Sequence, residues 1–201
     1  MCGVLTDYDL SSWVSTLNPD YTKTSQQRTG TPPYMANGLL DGTDVVHLYR
    51  HDVESLFYIM LILVTHYEIQ APAKEGGGLR VREGILRFQP WFELLDYDTL
   101  GEKKMGFFLS LKPFELSPSF KNFRSWLSGL RKVFNHGFMA KNRNRSSQVF
   151  GEQAEESSDE DMTPYDDETL GGHLTYSVFI RSARNLTGRL GELAIRYEPP
   201  S

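Results

Sequence analysis

A run of nine apolar or aromatic residues, Leu56–Val64, constrains the fold of this chain more than any other stretch. A helix formed by this run would be hydrophobic on every face, so it belongs inside a domain or in a membrane. Nine residues rise only about 14 Å, roughly half of a bilayer's hydrocarbon core. Asp52, Glu54 and Ser55 precede the run and can satisfy the open N–H groups of a first helical turn. A buried strand is the alternative on periodicity alone, but the length with its flanks favours a central buried helix over about 50–66.

The length and composition of the chain fit a single domain with a hydrophobic core. Its 201 residues are 39% hydrophobic, which is enough to build such a core. The one cysteine, Cys2, excludes an internal disulfide framework and a zinc pattern, and indicates a reducing compartment. The first ten residues lack the basic and apolar regions of a signal peptide, and no run is long enough to span a membrane. We therefore expect an intracellular protein, cytoplasmic or nuclear, without a membrane partner.

The net charge of −5 conceals an uneven distribution of charged residues. Residues 152–168 carry nine acidic side chains and no basic one, so the rest of the chain has 17 acidic against 21 basic residues. Residues 116–151 carry seven Lys or Arg and no Asp or Glu. This basic face raises a nucleic-acid hypothesis, but the negative net charge and the lack of an aromatic stacking pattern make nucleic acid an unlikely partner. The acidic block is expected to be a solvated loop, with Ser157 and Ser158 as possible phosphoacceptors.

Residues 97–109 show the pattern of a second helix. In this helix we expect Lys103 and Lys104 to be exposed and Phe107 and Phe108 to face inward, because paired lysines usually lie in solvent and paired phenylalanines in a core.

Shorter stretches between these helices carry weaker signals. A short helix is expected over 37–41, closed by Gly42. A Gly-rich hinge follows the central helix at 76–78. Residues 79–92 alternate basic and apolar residues in a loosely helical way, and Pro90 is expected to break that helix.

Ser117 and Pro118 mark a clear helix start, with the serine as N-cap and the proline in the first turn. The apolar residues that follow recur every three or four positions on one face: Phe120, Phe123, Leu127, Leu130 and Phe134. Four basic residues fall mostly on the other face: Lys121, Arg124, Arg131 and Lys132.

The last third of the chain is predicted to contain an insert, a helix and a tail. Residues 141–168 have little apolar content, so we expect an acidic, disordered insert over about 141–170. Residues 173–186 predict a last amphipathic helix, within a segment 171–190, and the chain ends in a tail at 191–201. The fold class expected from all these patterns is mainly α.

Three segments, in order along the chain, resemble parts of protein kinases. Residues 4–10, Val-Leu-Thr-Asp-Tyr-Asp-Leu, resemble the magnesium-binding Asp-Phe-Gly segment. Residues 30–36, Gly-Thr-Pro-Pro-Tyr-Met-Ala, resemble the end of the activation segment. Residues 52–57, Asp-Val-Glu-Ser-Leu-Phe, resemble the start of the central helix of the kinase C-lobe. Together with Gly-His-Leu-Thr-Tyr at 172–176, these forms look most like the fungal-type protein kinases, and the resemblance covers nearly the whole chain.

The resemblance implies roles for individual residues. Asp7 matches the aspartate that holds Mg²⁺ against the phosphates, so Mg²⁺ and ATP are the cofactors it implies. Thr31 matches a threonine that bonds within the catalytic loop and shapes the substrate-peptide site. Asp52 matches the acid that supports the backbone of that loop, although in this chain we expect it to act as a helix cap. Gly38 stands where the family usually has the glutamate of Ala-Pro-Glu, whose ion pair anchors the segment.

The 201 residues contain no Gly-rich loop, no strand lysine and no His-x-Asp catalytic loop. The expectation is a helical kinase-like C-lobe that starts at the Asp-Phe-Gly-like segment, with the N-lobe and catalytic loop absent. Its first part is 1–140, with an activation-segment-like stretch at 7–38. A single carboxylate such as Asp7 holds Mg²⁺ poorly without nucleotide phosphates, so ATP binding by these residues is not expected.

Two functional hypotheses follow, with a third reading beside them. The first is a fragment of a fungal-type Ser/Thr protein kinase, inactive alone, whose full-length relatives phosphorylate protein substrates. The set of catalytic residues in such a fragment is incomplete, and Thr31 is the candidate catalytic residue among those present. The second is a pseudokinase-like helical scaffold that binds a partner protein. The third is an unrelated helical protein with chance motifs, in which Asp7 and Thr31 would lie far apart.

Overall fold

The structure is a computed structural model that describes residues 31–40, 42, 47–69, 78–94, 96–110, 112–150 and 165–186. The described part of the chain is mainly α, as predicted. Its helices are α1 (Asn37–Leu40), α2 (Tyr49–His66), α3 (Pro90–Glu93), α4 (Tyr97–Leu109), α5 (Arg124–Phe150) and α6 (Tyr176–Leu186). Two strands, β1 (Tyr67–Ile69) and β2 (Leu79–Val81), and two 3-10 helices, Pro32–Tyr34 and Pro118–Phe123, complete the described elements.

The predicted central helix is confirmed as α2, whose inward face forms the middle of the core. Phe57 is fully buried, and its ring centroid lies 5.4 Å from that of Phe108 on α4 and 5.5 Å from that of Phe134 on α5. Burying a large aromatic side chain stabilises a fold by roughly 1.5–3 kcal/mol, so this three-helix contact is a main source of stability. The helix that the apolar run predicts therefore organises the packing of α4 and α5.

The expectation that α2 is buried on every side is wrong. Leu56 is 40% exposed and Ile59 is 46% exposed, on the same side of the helix as Asp52. These positions are spaced by three and four residues, which places them on one helical face. The apolar run alone could not show this, because a helix that is hydrophobic all round looks the same whether one of its faces is covered or open.

The amphipathic pattern after Ser117 is confirmed, but its start differs from the prediction. Pro118–Phe123 forms a 3-10 helix, and α5 follows it at Arg124. The Ser117 side chain makes no capping hydrogen bond within the described residues; instead its backbone N–H donates to the Val64 carbonyl at 2.8 Å. The predicted apolar face packs inward, with Phe120, Leu127, Leu130 and Phe134 buried and Phe123 partly buried.

The prediction of disorder from Lys141 onwards is wrong for its first ten residues, because α5 continues to Phe150. One contact that supports this extension is an ion pair of 3.3 Å between Lys141 Nζ and Asp167 Oδ1. Low apolar content did not predict this outcome because a helix can continue into solvent when its first turns are anchored in a core. The greater part of the predicted insert, 151–164, lies outside the described residues.

The helical interpretation of residues 79–92 is also wrong. Residues Leu79–Val81 form β2, which pairs antiparallel with β1 so that Tyr67 lies opposite Val81. Leu-Arg-Val has the alternation of a strand, and the signal was too short to separate the two periods. Pro90 begins α3 instead of ending a helix, since proline is well suited to a first helical turn.

A compact turn before α6 packs on α5. Leu170 has a positive φ of 53° and is fully buried. A Cβ added to Gly137 of α5 would lie 2.8 Å from Leu170 Cβ, so glycine is needed for this close approach. The predicted last helix is confirmed as α6, which starts at Tyr176, three residues later than expected.

Candidate functional site

The segment Thr31–Ala36, which resembles the end of a kinase activation segment, forms a tight turn beside α2. The Thr31 carbonyl accepts hydrogen bonds from the backbone N–H groups of Tyr34 (2.9 Å) and Met35 (3.2 Å). Thr31 is exposed at the start of the turn, whereas Met35 and Ala36 are buried. Tyr34 is half-buried, with its ring edge-on to Phe92 at 5.9 Å. The turn therefore offers Thr31 and part of Tyr34 to solvent while its C-terminal half is fixed in the core.

Lys104 of α4 holds this turn by its carbonyls. Its Nζ donates to the Pro32 carbonyl at 2.9 Å and to the Met35 carbonyl at 2.6 Å. The same Nζ lies 4.2 Å from the centroid of the Tyr58 ring, a cation–π distance. The expectation that Lys104 is exposed is wrong: the residue is 0% exposed, while Lys103 is exposed as predicted. Paired lysines on a helix point about 100° apart, so one can enter the core while the other remains in solvent.

Glu54 of α2 holds the same segment by an N–H group. Its Oε1 accepts a hydrogen bond from the backbone N–H of Asn37 at 2.9 Å and another from the Tyr58 hydroxyl at 2.6 Å. Glu54 is buried, so these charge-assisted bonds are formed away from solvent. We call Glu54, Tyr58 and Lys104 the loop anchor. It fixes both ends of the stretch from Pro32 to Asn37 to two helices of the core.

Burial shifts the pKa values of the loop anchor in opposite directions. Burial lowers the pKa of Lys104 to about 7, against the opposing pull of the Glu54 carboxylate. Burial raises the pKa of Glu54, while its bonds from Tyr58 and Asn37 and the charge of Lys104 act the other way. The pKa of Tyr58 is well above its usual range because of burial and the adjacent carboxylate. A neutral lysine amine keeps two N–H donors, as many as the two loop carbonyls need. Lys104 can therefore lose its proton near neutral pH and still hold the loop.

The resemblance suggested residues whose positions the structure now gives. Gly38, at the place of the family's anchoring glutamate, is buried in α1. Glycine has no side chain with which to hold the segment, and the observed side-chain bonds to it come from Lys104 and Glu54. Neither residue was singled out as a site residue from the sequence. A signal for Glu54 was present, because an acid so close to a continuous apolar run must either cap the helix or find a buried partner.

The interpretation of Asp52 as a helix cap is wrong. The group that caps α2 is His51, whose Nδ1 accepts a hydrogen bond from the Leu48 backbone N–H at 3.0 Å. Asp52 Oδ1 lies 2.8 Å from His47 Nε2 on the exposed side of the helix. This hydrogen bond raises the pKa of His47 and lowers that of Asp52.

The predicted Mg²⁺ residue, Asp7, lies outside the described residues. Within residues 31–186 as described, no group of three or more His, Cys, Asp or Glu side chains could hold a metal ion. The described part therefore offers no donor set against which a Mg²⁺–ATP site can be fitted. No helix in that part is long and apolar enough to cross a membrane.

Comparison with known proteins supports the resemblance for the N-terminal part of the chain. Residues 1–64 match the family model described as fungal protein kinase. This part of the chain is therefore similar to fungal-type protein kinases. The matched part includes the turn at Thr31–Ala36, Glu54 and most of α2, whereas Lys104 lies beyond it. Neither the curated proteins nor the solved structures include a match to this chain.

Proposed function

We propose that this chain forms the C-lobe portion of a fungal-type Ser/Thr protein kinase and that its exposed turn at Thr31–Tyr34 contacts the protein substrate. The observation that carries the proposal is the loop anchor. Residues 1–64 match the fungal protein kinase model. Within them, the turn that resembles the substrate-binding end of an activation segment is fixed by Glu54 and Lys104. Such fixing lowers the entropic cost of binding an extended peptide, because the receptor surface is already ordered.

The chemistry of the family is transfer of a phosphoryl group from ATP to a protein hydroxyl, assisted by Mg²⁺. In this chain Asp7 is the residue proposed to contribute to Mg²⁺ binding. The base that orients the substrate hydroxyl and the lysine that contacts the phosphates have no counterpart among residues 1–201. We therefore propose that these 201 residues bind the substrate but do not transfer phosphate by themselves.

A second candidate is a pseudokinase-like scaffold that binds a partner protein through the same turn. The observation that favours it is that the loop anchor uses protein groups alone, since the Pro32 and Met35 carbonyls and the Asn37 N–H all bond to side chains of the chain. The turn is thus held by side chains of the chain itself. A scaffold function and a substrate-binding function predict different ligands for this surface.

The test is amide NMR of the 201-residue chain with pools of Ser- and Thr-containing peptides, and separately with Mg²⁺–ATP. The proposal expects the Thr31, Tyr34 and Met35 amide signals to shift with the peptides, and no saturable change with Mg²⁺–ATP. Thr31→Val, which keeps the shape of the side chain, should weaken the peptide effect. Peptides that shift no signal in the turn would contradict the substrate-binding proposal, and a folded partner that does shift them would favour the scaffold.

A further inference from the structure

A cavity of about 230 Å³ lies between the end of α4, the segment at Pro113–Phe114 and the first half of α5. Three of the residues that line it are apolar: Phe108, Pro113 and Phe114. The others are polar or cationic residues from successive turns of α5: Arg124, Ser128, Arg131, Lys132 and Asn135. We call this feature the basic pocket. It lies outside residues 1–64, which match the fungal protein kinase model, and it includes no residue of the turn at Thr31–Ala36.

The arginines of the basic pocket are held in place by backbone carbonyls. Arg131 is only 7% exposed; its Nη1 donates to the Lys112 carbonyl at 2.8 Å and its Nε to the Phe107 carbonyl at 3.0 Å. Arg124 Nη1 donates to the Phe114 carbonyl at 2.9 Å. A guanidinium carries five N–H donors, so each arginine keeps donors beyond those that hold it. The positions of the two charges are therefore fixed while part of their hydrogen-bonding capacity is unused.

The positive charges around the basic pocket are not paired with carboxylates of the described residues. Arg87 also reaches this region, because its Nη1 donates to the Pro113 carbonyl at 2.8 Å. None of Arg87, Arg124, Arg131 and Lys132 forms an ion pair with a carboxylate of the described residues. The pKa of Arg131 is lowered mainly by burial and further by the like charge of Arg87.

We propose that the basic pocket binds a phosphorylated side chain of an acidic peptide on a partner protein. Fixed guanidinium groups suit a phosphoryl group, whose oxygens accept bidentate, charge-assisted hydrogen bonds. The apolar lining residues fit the hydrocarbon part of a peptide side chain, and a volume of about 230 Å³ has room for one anionic group. Binding would supply the counter-charge that the pocket lacks.

A nucleic acid fits these observations less well. Nucleic-acid binding depends on a row of cations that follows a continuous phosphate backbone. Here the cations converge on one cavity instead of forming such a row. Further along α5, Lys141 is paired with Asp167, so the basic helix does not present all its charges.

The test uses the full 201-residue chain and a short fluorescent acidic peptide in two forms, with a phosphoserine and with serine. Fluorescence anisotropy should show saturable binding of the phosphopeptide and at least about tenfold weaker binding of the serine form. Lys132→Glu and Arg124→Gln should each weaken phosphopeptide binding about tenfold. Arg131 is not the first choice, because its loss removes bonds that hold the fold. Inorganic phosphate, followed by ³¹P NMR, should compete with the phosphopeptide.

The matched control is Arg145→Glu, which reverses one charge on the exposed far end of α5. It should change the affinity by less than about twofold, because a distant exposed charge is largely screened. The proposal is overturned if no probe binds saturably, if Lys132→Glu and Arg145→Glu weaken binding equally, or if a single-stranded oligonucleotide of equal charge binds more tightly than the phosphopeptide.

Discussion

Lys104 and Arg131 are two buried cations in similar positions with different electrostatic surroundings. Each donates hydrogen bonds to two backbone carbonyls of a distant segment. Each also lies 4.2 Å from an aromatic ring centroid, Tyr58 for Lys104 and Phe107 for Arg131. The difference is the nearest charge: Lys104 interacts with the buried carboxylate of Glu54, whereas Arg131 interacts with the like charge of Arg87.

The comparison teaches that a buried cation can complete a fold or prepare a binding site, depending on its counter-ion. The loop anchor is neutralised within the chain, so it acts as a positioning device for the turn at Thr31–Ala36. The basic pocket is not neutralised by the described residues, so it remains attractive to an anion. Changes at Lys104 should therefore alter the shape of the turn, and changes at the pocket should alter binding.

The largest effect is expected for Lys104→Met. This change removes the donors to the Pro32 and Met35 carbonyls and leaves the Glu54 carboxylate buried without a nearby cation. Breaking such a buried arrangement from one side should lower the free energy of unfolding by about 3 kcal/mol. Urea unfolding followed by circular dichroism measures this. Lys103→Met makes the same substitution at an exposed lysine and should lower the free energy of unfolding by less than about 0.5 kcal/mol. Equal losses of stability in the two variants would show that Lys104 does not contribute to stability through the loop anchor.

Arg131→Met should cost less, about 2 kcal/mol. The Phe107 and Lys112 carbonyls lose their donors, but no buried carboxylate is left unpaired and the repulsion with Arg87 is relieved. The same unfolding experiment measures the difference between the two cations. A larger loss of stability for Arg131→Met than for Lys104→Met would contradict the claim that only Lys104 neutralises a buried carboxylate.

Glu54→Gln should cost about 1 kcal/mol, because the amide oxygen can still accept from Asn37 N–H and the Tyr58 hydroxyl. What it removes is the charge that favours protonated Lys104. The pKa of Lys104 should therefore fall further below its value in the unaltered chain. A NMR titration of the lysine ε-methylene signals would measure this shift, and an unchanged titration would show that Glu54 does not interact with Lys104.

The stability of the chain should rise with pH above about 7. The folded pKa of Lys104 is about 7 and the usual lysine value is 10.5, so between these values the unfolded chain binds a proton that the folded chain does not. Raising the pH through this window therefore favours the folded state. Urea unfolding at a series of pH values measures the rise. Lys104→Met should lack this rise in stability. If the variant shows the same rise, another titratable group causes it.

The smallest effect is a stabilisation by inorganic phosphate. At a phosphate concentration near its dissociation constant, the melting temperature should increase by about 1–2 °C relative to chloride at equal ionic strength. Lys132→Glu should remove this increase, and Arg145→Glu should keep it. Loss in both variants would indicate general charge screening by phosphate instead of a bound anion.

The sequence predicted the elements of the fold better than it predicted the site. The helix at 97–109 and the last helix followed from apolar patterning, and the central helix followed from the length of its apolar run together with its flanks. Lys104 could not be predicted as buried, because its partners are carbonyls on a turn about seventy residues earlier, and backbone carbonyls have no sequence signature. Arg131 was assigned to the exposed basic face for the same reason.

Thr31 illustrates the limit of motif-based prediction. The motif at 30–36 indicated a resemblance to the end of an activation segment but not the local structure, which is a 3-10 helix at Pro32–Tyr34. The motif did not indicate what holds the turn, since Lys104 and Glu54 lie on two helices outside it. Residues that act through long-range contacts emerge only when the packing is known.

The most direct test of the loop anchor is hydrogen exchange at the amides of the turn. Exchange is compared in the unaltered chain, Lys104→Met and Lys103→Met, under conditions in which all three are folded. The account predicts that exchange at Tyr34, Met35 and Asn37 in Lys104→Met accelerates more than exchange at the α5 amides, which changes only with the global free energy of unfolding. Lys103→Met should exchange like the unaltered chain. Unchanged protection of the turn in Lys104→Met would contradict the claim that Lys104 positions it.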